Sequence, residues 1–352
     1  MTPFVRPCCS CQVQDVQVAA HPQFPKDVSG LAWYGCPDSL KQYPQSANES
    51  TPLPTKDQKD LRRAYYASVS YMDYNFGLLM SHVKQLGLRD DTVIVMHSDH
   101  GYQLGERNIW CKETVFDLAT RVPLMIHAPQ YAQVARARTD AMVELVDLFP
   151  TLVELAGLPS VDTPHRNEIP LEGRSIVPVI AAVSTGSHVA QTVELFNASF
   201  SQYSRRRCRS NLFCHVQTCC PESSSMPRSK ASSDTGFGTW TGFSVRTRGY
   251  RYSRWVAVDG DGWAKDWKGD IDSEEFYVEN GAGGPDNYAA CEPANLVKSA
   301  GVHQAALDSL RELLRTVTGC MATNPKMRTR VCPFRAPMGV AAMSAAVTPS
   351  SS

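Results

Sequence analysis

Net charge is the first thing this sequence lacks: 35 Lys and Arg are balanced by 35 Asp and Glu over 352 residues. Without an overall charge there is no global electrostatic pull toward DNA, RNA or an anionic bilayer, so neither nucleic acid nor a membrane surface is the expected partner. No uninterrupted apolar run reaches the roughly 18 residues that a transmembrane helix needs. Met1 to Ser10 place no apolar core behind a basic start, so no secretory signal is readable. No internal repeat of about 20 to 50 residues recurs, which excludes solenoids and propellers. The 12 Cys fall short of the density of a disulfide scaffold, and 43% hydrophobic with 20% charged residues is the composition of a globular chain. The length suits about two to three domains. Two acceptor sequons, Asn48-Glu-Ser50 and Asn197-Ala-Ser199, together with the cysteines suit an oxidising compartment, in tension with the missing signal.

Residues 1–56 are rich in Pro, Ser and Gln and read as a long irregular surface segment. From Asp57 to Leu86 the pattern changes. Leu61, Ala64, Tyr65, Ser68, Tyr71, Met72, Phe76, Leu79 and Val83 recur at steps of three and four, which predicts an amphipathic helix stopped by Gly87. Asp90-Asp91 make a solvated turn before Thr92-Val-Ile-Val-Met96, a β-branched run of the kind that fills a buried parallel strand. Val122 to Ala128 reads as a second strand, and Asp147, Pro150 and Gly157 bracket a helix from Leu148 to Ala156. Helix, strand, strand, helix suggests an α/β layer. Further on, Thr241 to Val256 alternates like a hairpin turning at Arg248-Gly249, with Phe243, Val245 and Thr247 on one face, as expected of a small antiparallel domain. Ala305 to Val317 predicts a terminal helix, and Pro337 to Ser352 a disordered low-complexity tail.

The chemistry concentrates in Ser98-Asp99-His100-Gly101-Tyr102-Gln103-Leu104-Gly105-Glu106, directly after the Thr92–Met96 run. Ligands of open α/β sheets bind outside the carboxyl ends of strands. An adjacent carboxylate and imidazole, with Gly101 letting the backbone turn away, can present two ligands to one cation. Lys112, a little further on, supplies an ammonium for an anionic group beside it. A strand-ending turn with a solvated Asp and a core His is the plain alternative, and an Asp-His pair alone does not decide between them.

The wider run decides more. His97-Ser-Asp-His-Gly-Tyr-Gln-Leu-Gly-Glu-Arg-Asn-Ile-Trp-Cys-Lys112, set between Thr92 and Ile126, resembles the second signature of the sulfatase family, in particular its iduronate branch. Arg63-Ala-Tyr-Tyr-Ala-Ser-Val-Ser-Tyr-Met-Asp73 upstream continues the likeness. So do Val143-Glu-Leu-Val-Asp-Leu-Phe-Pro-Thr-Leu-Val-Glu-Leu-Ala-Gly157, Leu171-Glu-Gly-Arg-Ser175 and Gly242 to Tyr252, in the family's order. The resemblance implies an alkaline-phosphatase-like α/β fold: the carboxy-terminal part of a large mixed-sheet domain over 57–184, and a small α+β domain with an antiparallel sheet over 185–320. Residues 321–352 remain as a tail. It implies that Asp99 and His100 ligate a divalent cation, Ca²⁺ in this family, with the second imidazole nitrogen held by an acceptor. It makes Lys112 the sulfate contact, and Tyr102 and Trp110 either the wall facing the sugar or ordinary packing. The implied activity is sulfuric ester hydrolysis on a sulfated sugar or glycosaminoglycan, a 2-O-sulfated uronic acid in the iduronate branch, in the lysosome or outside the cell.

Other family features are absent. The nucleophile of sulfatases is a formylglycine made from Cys or Ser in C/S-x-P-S-R, and no such motif occurs; Cys36-Pro-Asp-Ser-Leu40 and Cys332-Pro-Phe-Arg335 lack its spacing. The family's Asp-Asp pair after a first strand is missing too. Pro3-Phe4 and Pro7 have the spacing of a Pro-Phe-x-x-Pro segment that follows Lys-Pro-His in the iduronate branch, so the expectation is an amino-terminally truncated sequence. Three alternatives stay open: a phosphate or phosphonate monoesterase of the same superfamily, a pseudosulfatase that binds sulfated glycan, and an inactive fragment. Cys208, Cys214, His215, Cys219 and Cys220 lack the paired C-x-x-C form of a zinc site, so disulfides or a metal-free inserted loop are expected there. Arg205-Arg-Arg207 with Arg209 reads as a solvated basic loop or linker.

Overall fold

The computed structural model describes residues 16–23, 27–33, 40, 52–132, 137–160, 171–185, 197–207, 213–214, 239–258, 271–278, 292 and 294–322. The Cys/His cluster apart from Cys214, the Asn48 sequon, the Pro3–Pro7 spacing and the tail after 322 lie outside them.

Helix α1, Thr55–Gln85, covers the amphipathic stretch. His82 and Lys84 in its last turn face the negative end of the helix dipole. Gly87, at φ 69°, closes it in the left-handed conformation, with Gly87 N–H donating to Lys84 O and Leu88 N–H to Val83 O. Strand β1, Ile94–His97, and β2, Leu124–His127, pair antiparallel, with Ile94 opposite His127 and His97 opposite Leu124. This corrects the reading of a buried parallel strand. An apolar run does not encode the direction of its partner, and here no residue of either strand is fully buried.

Helix α2, Asp117–Thr120, is a single turn. Helix α3, Leu148–Leu155, begins at Asp147, whose carboxylate accepts from Glu144 N–H at 2.9 Å and from Arg174 N–H at 2.8 Å. Gly157, at φ 67°, ends it, as its sequence bracket predicts. Helix α4, Val177–Ser184, joins it through Val177 against Leu155 and Ala128.

The second sheet has β3, Ala198–Arg207; β4, Phe213–Cys214; β5, Thr239–Thr247; β6, Tyr250–Val258; and β7, Ile271–Val278, in the antiparallel order β4-β3-β5-β6-β7. The β5–β6 hairpin turns at Arg248-Gly249 as expected. On one face Val245, Tyr252 and Phe276 pack on helix α5, Gln304–Ala322, through Leu307, Leu310 and Leu314. Those leucines recur at helical spacing, and each fully buried one contributes about 1.5–3 kcal/mol. Trp255 lies across Gly242 on the opposite strand, where an added Cβ would come within 2.7 Å of the indole.

The other face alternates with the first and carries Arg251, Ser253, Glu275 and Tyr277, residues that strand periodicity alone would turn to water. All are buried. Trp255 and Tyr277 pack there on Ile109, Val115 and Phe116, and on Leu31 and Ala32, which are wholly inaccessible. The Pro- and Ser-rich amino-terminal stretch is therefore core wherever Leu31, Ala32, Leu40 and Leu53 meet it, a correction to the surface reading. Isolated apolar residues without periodicity leave no signal until a partner surface exists. Arg205 is likewise corrected: it lies on β3 with no exposed surface, donating to the Leu31 and Glu113 carbonyls.

Buried ions join the two layers. The Glu292 carboxylate accepts from Arg107 Nη2 at 2.9 Å and Asp117 N–H at 3.1 Å, and binds Arg251 Nε through its other oxygen. Arg251 Nη2 lies 3.6 Å from Glu275 Oε2, and Arg246 Nε lies 3.0 Å from Asp117 Oδ1. Arg107 and Arg251 also stack on Phe116, at 4.6 and 5.1 Å. Burial is the main cause pushing the Glu275 carboxyl above its ordinary range, with Arg251 and the Trp255 indole N–H opposing it. Among the described residues no helix is long and apolar enough to cross a membrane.

Removing one member of a buried pair strands its partner's charge, so Glu292→Ala is expected to lower unfolding free energy by about 3–5 kcal/mol in urea titration. Glu312→Ala, at a mostly exposed i,i+3 pair with Arg315, should change it by less than about 1 kcal/mol. Gly242→Ala should destabilise by about 1–3 kcal/mol in the same assay and perturb the near-ultraviolet signal of Trp255, because the indole must move.

Candidate active site

The site grows from the end of β1. Ser98 N–H donates to Pro123 O at 3.3 Å, and Ser98 Oγ donates to His100 O at 2.7 Å, which curls the chain as it leaves the strand. Asp99 Oδ1 accepts from His100 N–H at 3.1 Å. Gly101 then passes against α2: its N–H donates to Ala119 O at 2.9 Å, and a Cβ there would sit 2.1 Å from Leu118 O. Only glycine allows that approach.

Residues 103–111 form a tight excursion. Gln103 N–H donates to Cys111 O at 2.8 Å and Gly105 N–H to Ile109 O at 2.9 Å, so the chain returns to where it left. This closure explains how Lys112 meets His100 across the intervening sequence. The tip holds Gly105 at φ 99°, Arg107 at φ 56° and Asn108 at φ 58°. Side chains rarely adopt such angles unless their surroundings enforce them. Here the enforcement is visible. Arg107 N–H donates to His21 O and its carbonyl accepts from Trp33 Nε1, while its guanidinium is held by Glu292, itself at φ 55°. Arg62 of α1 bonds Leu104 O at 2.7 Å and Glu106 at 3.0 Å, and Cys111 is disulfide-bonded.

The result brings three of the sequence candidates together. The Lys112 ammonium contacts His100 Nε2, and Asp99 Oδ2 lies 3.3 Å from the same nitrogen. His100 Nδ1 is 2.9 Å from Gly101 O, which can only accept, so Nδ1 is the nitrogen placed to donate and Nε2 is the one turned to Lys112 and Asp99. Asp99 is largely exposed, with 80% of its side chain accessible, against 35% for His100. A carboxylate oxygen and an imidazole lone pair on one spot suit a divalent cation. They are two donors, and among the described residues no group of three or more His, Cys, Asp or Glu gathers. The fit is therefore that of part of a ligand set.

Tyr102 and Trp110 stand to one side. The Tyr102 hydroxyl donates to Trp110 O at 3.0 Å, and its ring stacks on Tyr65 of α1 at 5.2 Å. Trp110 is 3% exposed and packs with Leu40 and Leu53. Together with Leu61 and Ser68 these rings line an open pocket of about 190 Å³. Burial, reinforced by Tyr102, pushes the Tyr65 phenol above its ordinary value. The residues that sequence reasoning missed are Glu292, Arg107 and Arg62, which hold the excursion in place. Nothing local marks Glu292, since its partners lie far away in the chain.

The sulfatase family model matches residues 20–158, a span that contains β1, the excursion and Lys112. Among curated proteins, mouse iduronate 2-sulfatase is 30% identical over 304 residues, covering 75% of this chain and 51% of its own length. The choline-sulfatase of Rhizobium meliloti is 37% identical over 122 residues, 35% of this chain and 22% of that protein. The chain thus spans about half the length of the iduronate 2-sulfatases that it matches. Among solved structures, a protein in complex with its substrate D-glucosamine-2-N,6-O-disulfate superposes with a TM-score of 0.50 at 19% identity over 80% of this chain and 45% of that one. The phosphonate monoester hydrolase of Agrobacterium radiobacter gives 0.50 and 19% over 77% and 43%. At that identity the two superpositions speak for the fold alone. Residues 20–158, with the Asp99, His100 and Lys112 cluster inside them, belong to the sulfatase family, on an alkaline-phosphatase-like α/β fold.

Proposed function

We propose that this chain carries the cation-binding and sulfate-binding part of a sulfuric ester hydrolase whose substrate is a 2-O-sulfated uronic acid of a glycosaminoglycan. The observation that carries the reading is the meeting of Asp99, His100 and Lys112 at the end of β1. Asp99 Oδ2 and His100 Nε2 would hold a divalent cation, Ca²⁺ by resemblance, in the place that the Lys112 ammonium takes against Nε2, with Lys112 turned instead to the sulfate and His100 Nδ1 held by Gly101 O. Such an ion would supply a positive field for an anionic ester. Lys112 Nζ offers a charge-assisted hydrogen bond to a sulfate oxygen, and it is worth most as the S–O bond breaks and charge grows on the leaving sugar oxygen. Tyr65 and Tyr102, at a pocket that the buried Trp110 backs from the core, are the aromatic surface that this reading offers to the apolar face of a sugar ring.

The reading divides the chain as 57–184 for the part of the large domain, with 185–320 for the small one. It assigns a lysosomal or secreted destination, supported by the disulfide at Cys111 and by the sequon Asn197-Ala-Ser199 at the start of β3. A glycoprotein is the corresponding expectation.

In calorimetric titration the chain should bind a 2-O-sulfated uronate disaccharide more tightly than the desulfated sugar, and Lys112→Ala should remove about tenfold or more of that difference. Equal binding of the two sugars would overturn the assignment of Lys112. On aryl sulfate the 352 residues alone should show no turnover, because the C/S-x-P-S-R nucleophile motif is not among them. Hydrolysis that disappears in Asp99→Ala would refute that expectation, and a preference for aryl phosphonate would move the reading to the phosphonate monoesterases.

A further inference from the structure

Residues 109–117 are buried with one interruption. Ile109, Trp110 and Cys111 are at most 5% exposed, and so are Thr114, Val115, Phe116 and Asp117, whereas Lys112 between them is exposed and Glu113 half-buried. Lys112 stands on a bend, with neither helix nor strand to fix its backbone. A long, flexible ammonium side chain keeps its head in one place only if the residues on both sides of it are anchored.

The anchors on the two sides differ in kind. After Lys112 they come from the antiparallel sheet and from the excursion: Glu113 O accepts from Arg205, Val115 O from Arg251 Nη1 at 3.1 Å, and Thr114 Oγ1 from Gln103 Nε2 at 3.0 Å. Before it, Trp110 O accepts from the Tyr102 hydroxyl at 3.0 Å and Cys111 O from Gln103 N–H at 2.8 Å. Both of those donors belong to the start of the same excursion, so they close it on itself. The covalent link on this side is the sulfur of Cys111, which is disulfide-bonded and packed with Leu31, Ala32, Phe116 and Trp255.

We infer that the Cys111 disulfide is a positioning bond for Lys112: it fixes the backbone one residue before the ammonium and so keeps that charge beside His100, where a sulfate would lie. The inference rests on the reading of Lys112 as the sulfate contact. A disulfide can also act only by restricting the unfolded chain. That role lowers global stability, but it neither loosens one loop of the native fold selectively nor alters the discrimination between a sulfated and a desulfated sugar.

The test uses Cys111→Val, which keeps an apolar side chain in the cluster, and Cys111→Ala. Unfolded without reductant, each should show one more free thiol than the unsubstituted chain. In native-state hydrogen exchange the amides of Gln103 and Gly105, bonded to Cys111 O and Ile109 O, should speed up at least tenfold more than those around Val245 in β5, which report global opening. In calorimetric titration the preference for a 2-O-sulfated uronate disaccharide over the desulfated sugar should fall at least threefold, with the desulfated sugar bound as before. Lys112→Ala added to Cys111→Val should cost no more preference than Lys112→Ala alone, because both act through one ammonium.

No gain of a free thiol overturns the inference. So does exchange at Gln103 and Gly105 that rises only in step with β5, or a double variant in which the two losses add. Loss of cooperative unfolding in both Cys111 variants overturns it too, since the bond would then hold the whole fold and not one side chain. If the unsubstituted chain shows no preference for the sulfated sugar, the reading of Lys112 fails instead, and the exchange pattern, measured without sugar, still decides whether the bond holds the loop.

Discussion

The Glu292 carboxylate holds three donors that come from three places: the Arg107 guanidinium at the tip of the excursion, the Asp117 N–H at the start of α2, and Arg251 near the start of β6. Each is buried, so none has water to fall back on, and charges removed from water persist only when geometry satisfies them together. Glu275 takes the other side of Arg251, and Asp117 holds Arg246. Through these contacts the charged face of the antiparallel sheet becomes the floor under residues 105–117. The left-handed angles at Arg107, Asn108 and Glu292 are the local strain that this arrangement sustains.

That floor is what gives the candidate site its shape. Lys112 reaches His100 because the excursion closes on itself at Gln103–Cys111 and Gly105–Ile109, and because Gly101 lies against the α2 backbone without a side chain in between. Asp99, His100 and Lys112 are all at least partly accessible, whereas the groups that hold their loop are not. Rigid support beneath and reactive groups above is the arrangement in which a few side chains can be kept in register for an anionic ligand. On the far side, α1 contributes Arg62 and Tyr65 to the excursion and pocket but leaves the rest of its apolar length uncovered.

Much of the secondary structure was legible from pattern. The three- and four-residue spacing of α1, the Asp147 to Gly157 bracket of α3 and the turn at Arg248-Gly249 each arise from contacts between residues close in the chain, and each is present. The meeting of Asp99, His100 and Lys112 was suggested by a resemblance to known signatures, and the structure supplies the loop closure that brings them together. Arg205, Leu31 and Ala32 were misread. A run of arginines looks like a solvated loop, and an irregular Pro-rich stretch looks like surface, until β3 and the layer beneath it provide carbonyls and apolar walls.

By itself, then, the sequence determined α1, α3, α5, the first two strands and the β5–β6 hairpin, which residues can carry anion and cation chemistry, and which family signature they compose. These depend on local spacing and residue type. Only the tertiary structure decided that β1 pairs antiparallel with β2, and that both faces of the second sheet are buried. It alone decided that Glu292, beyond the last strand, anchors the loop leading to Lys112. Strand direction, buried ion pairing and long-range anchoring are set by partners remote in sequence, and their energy is realised only once water has been excluded from between the layers.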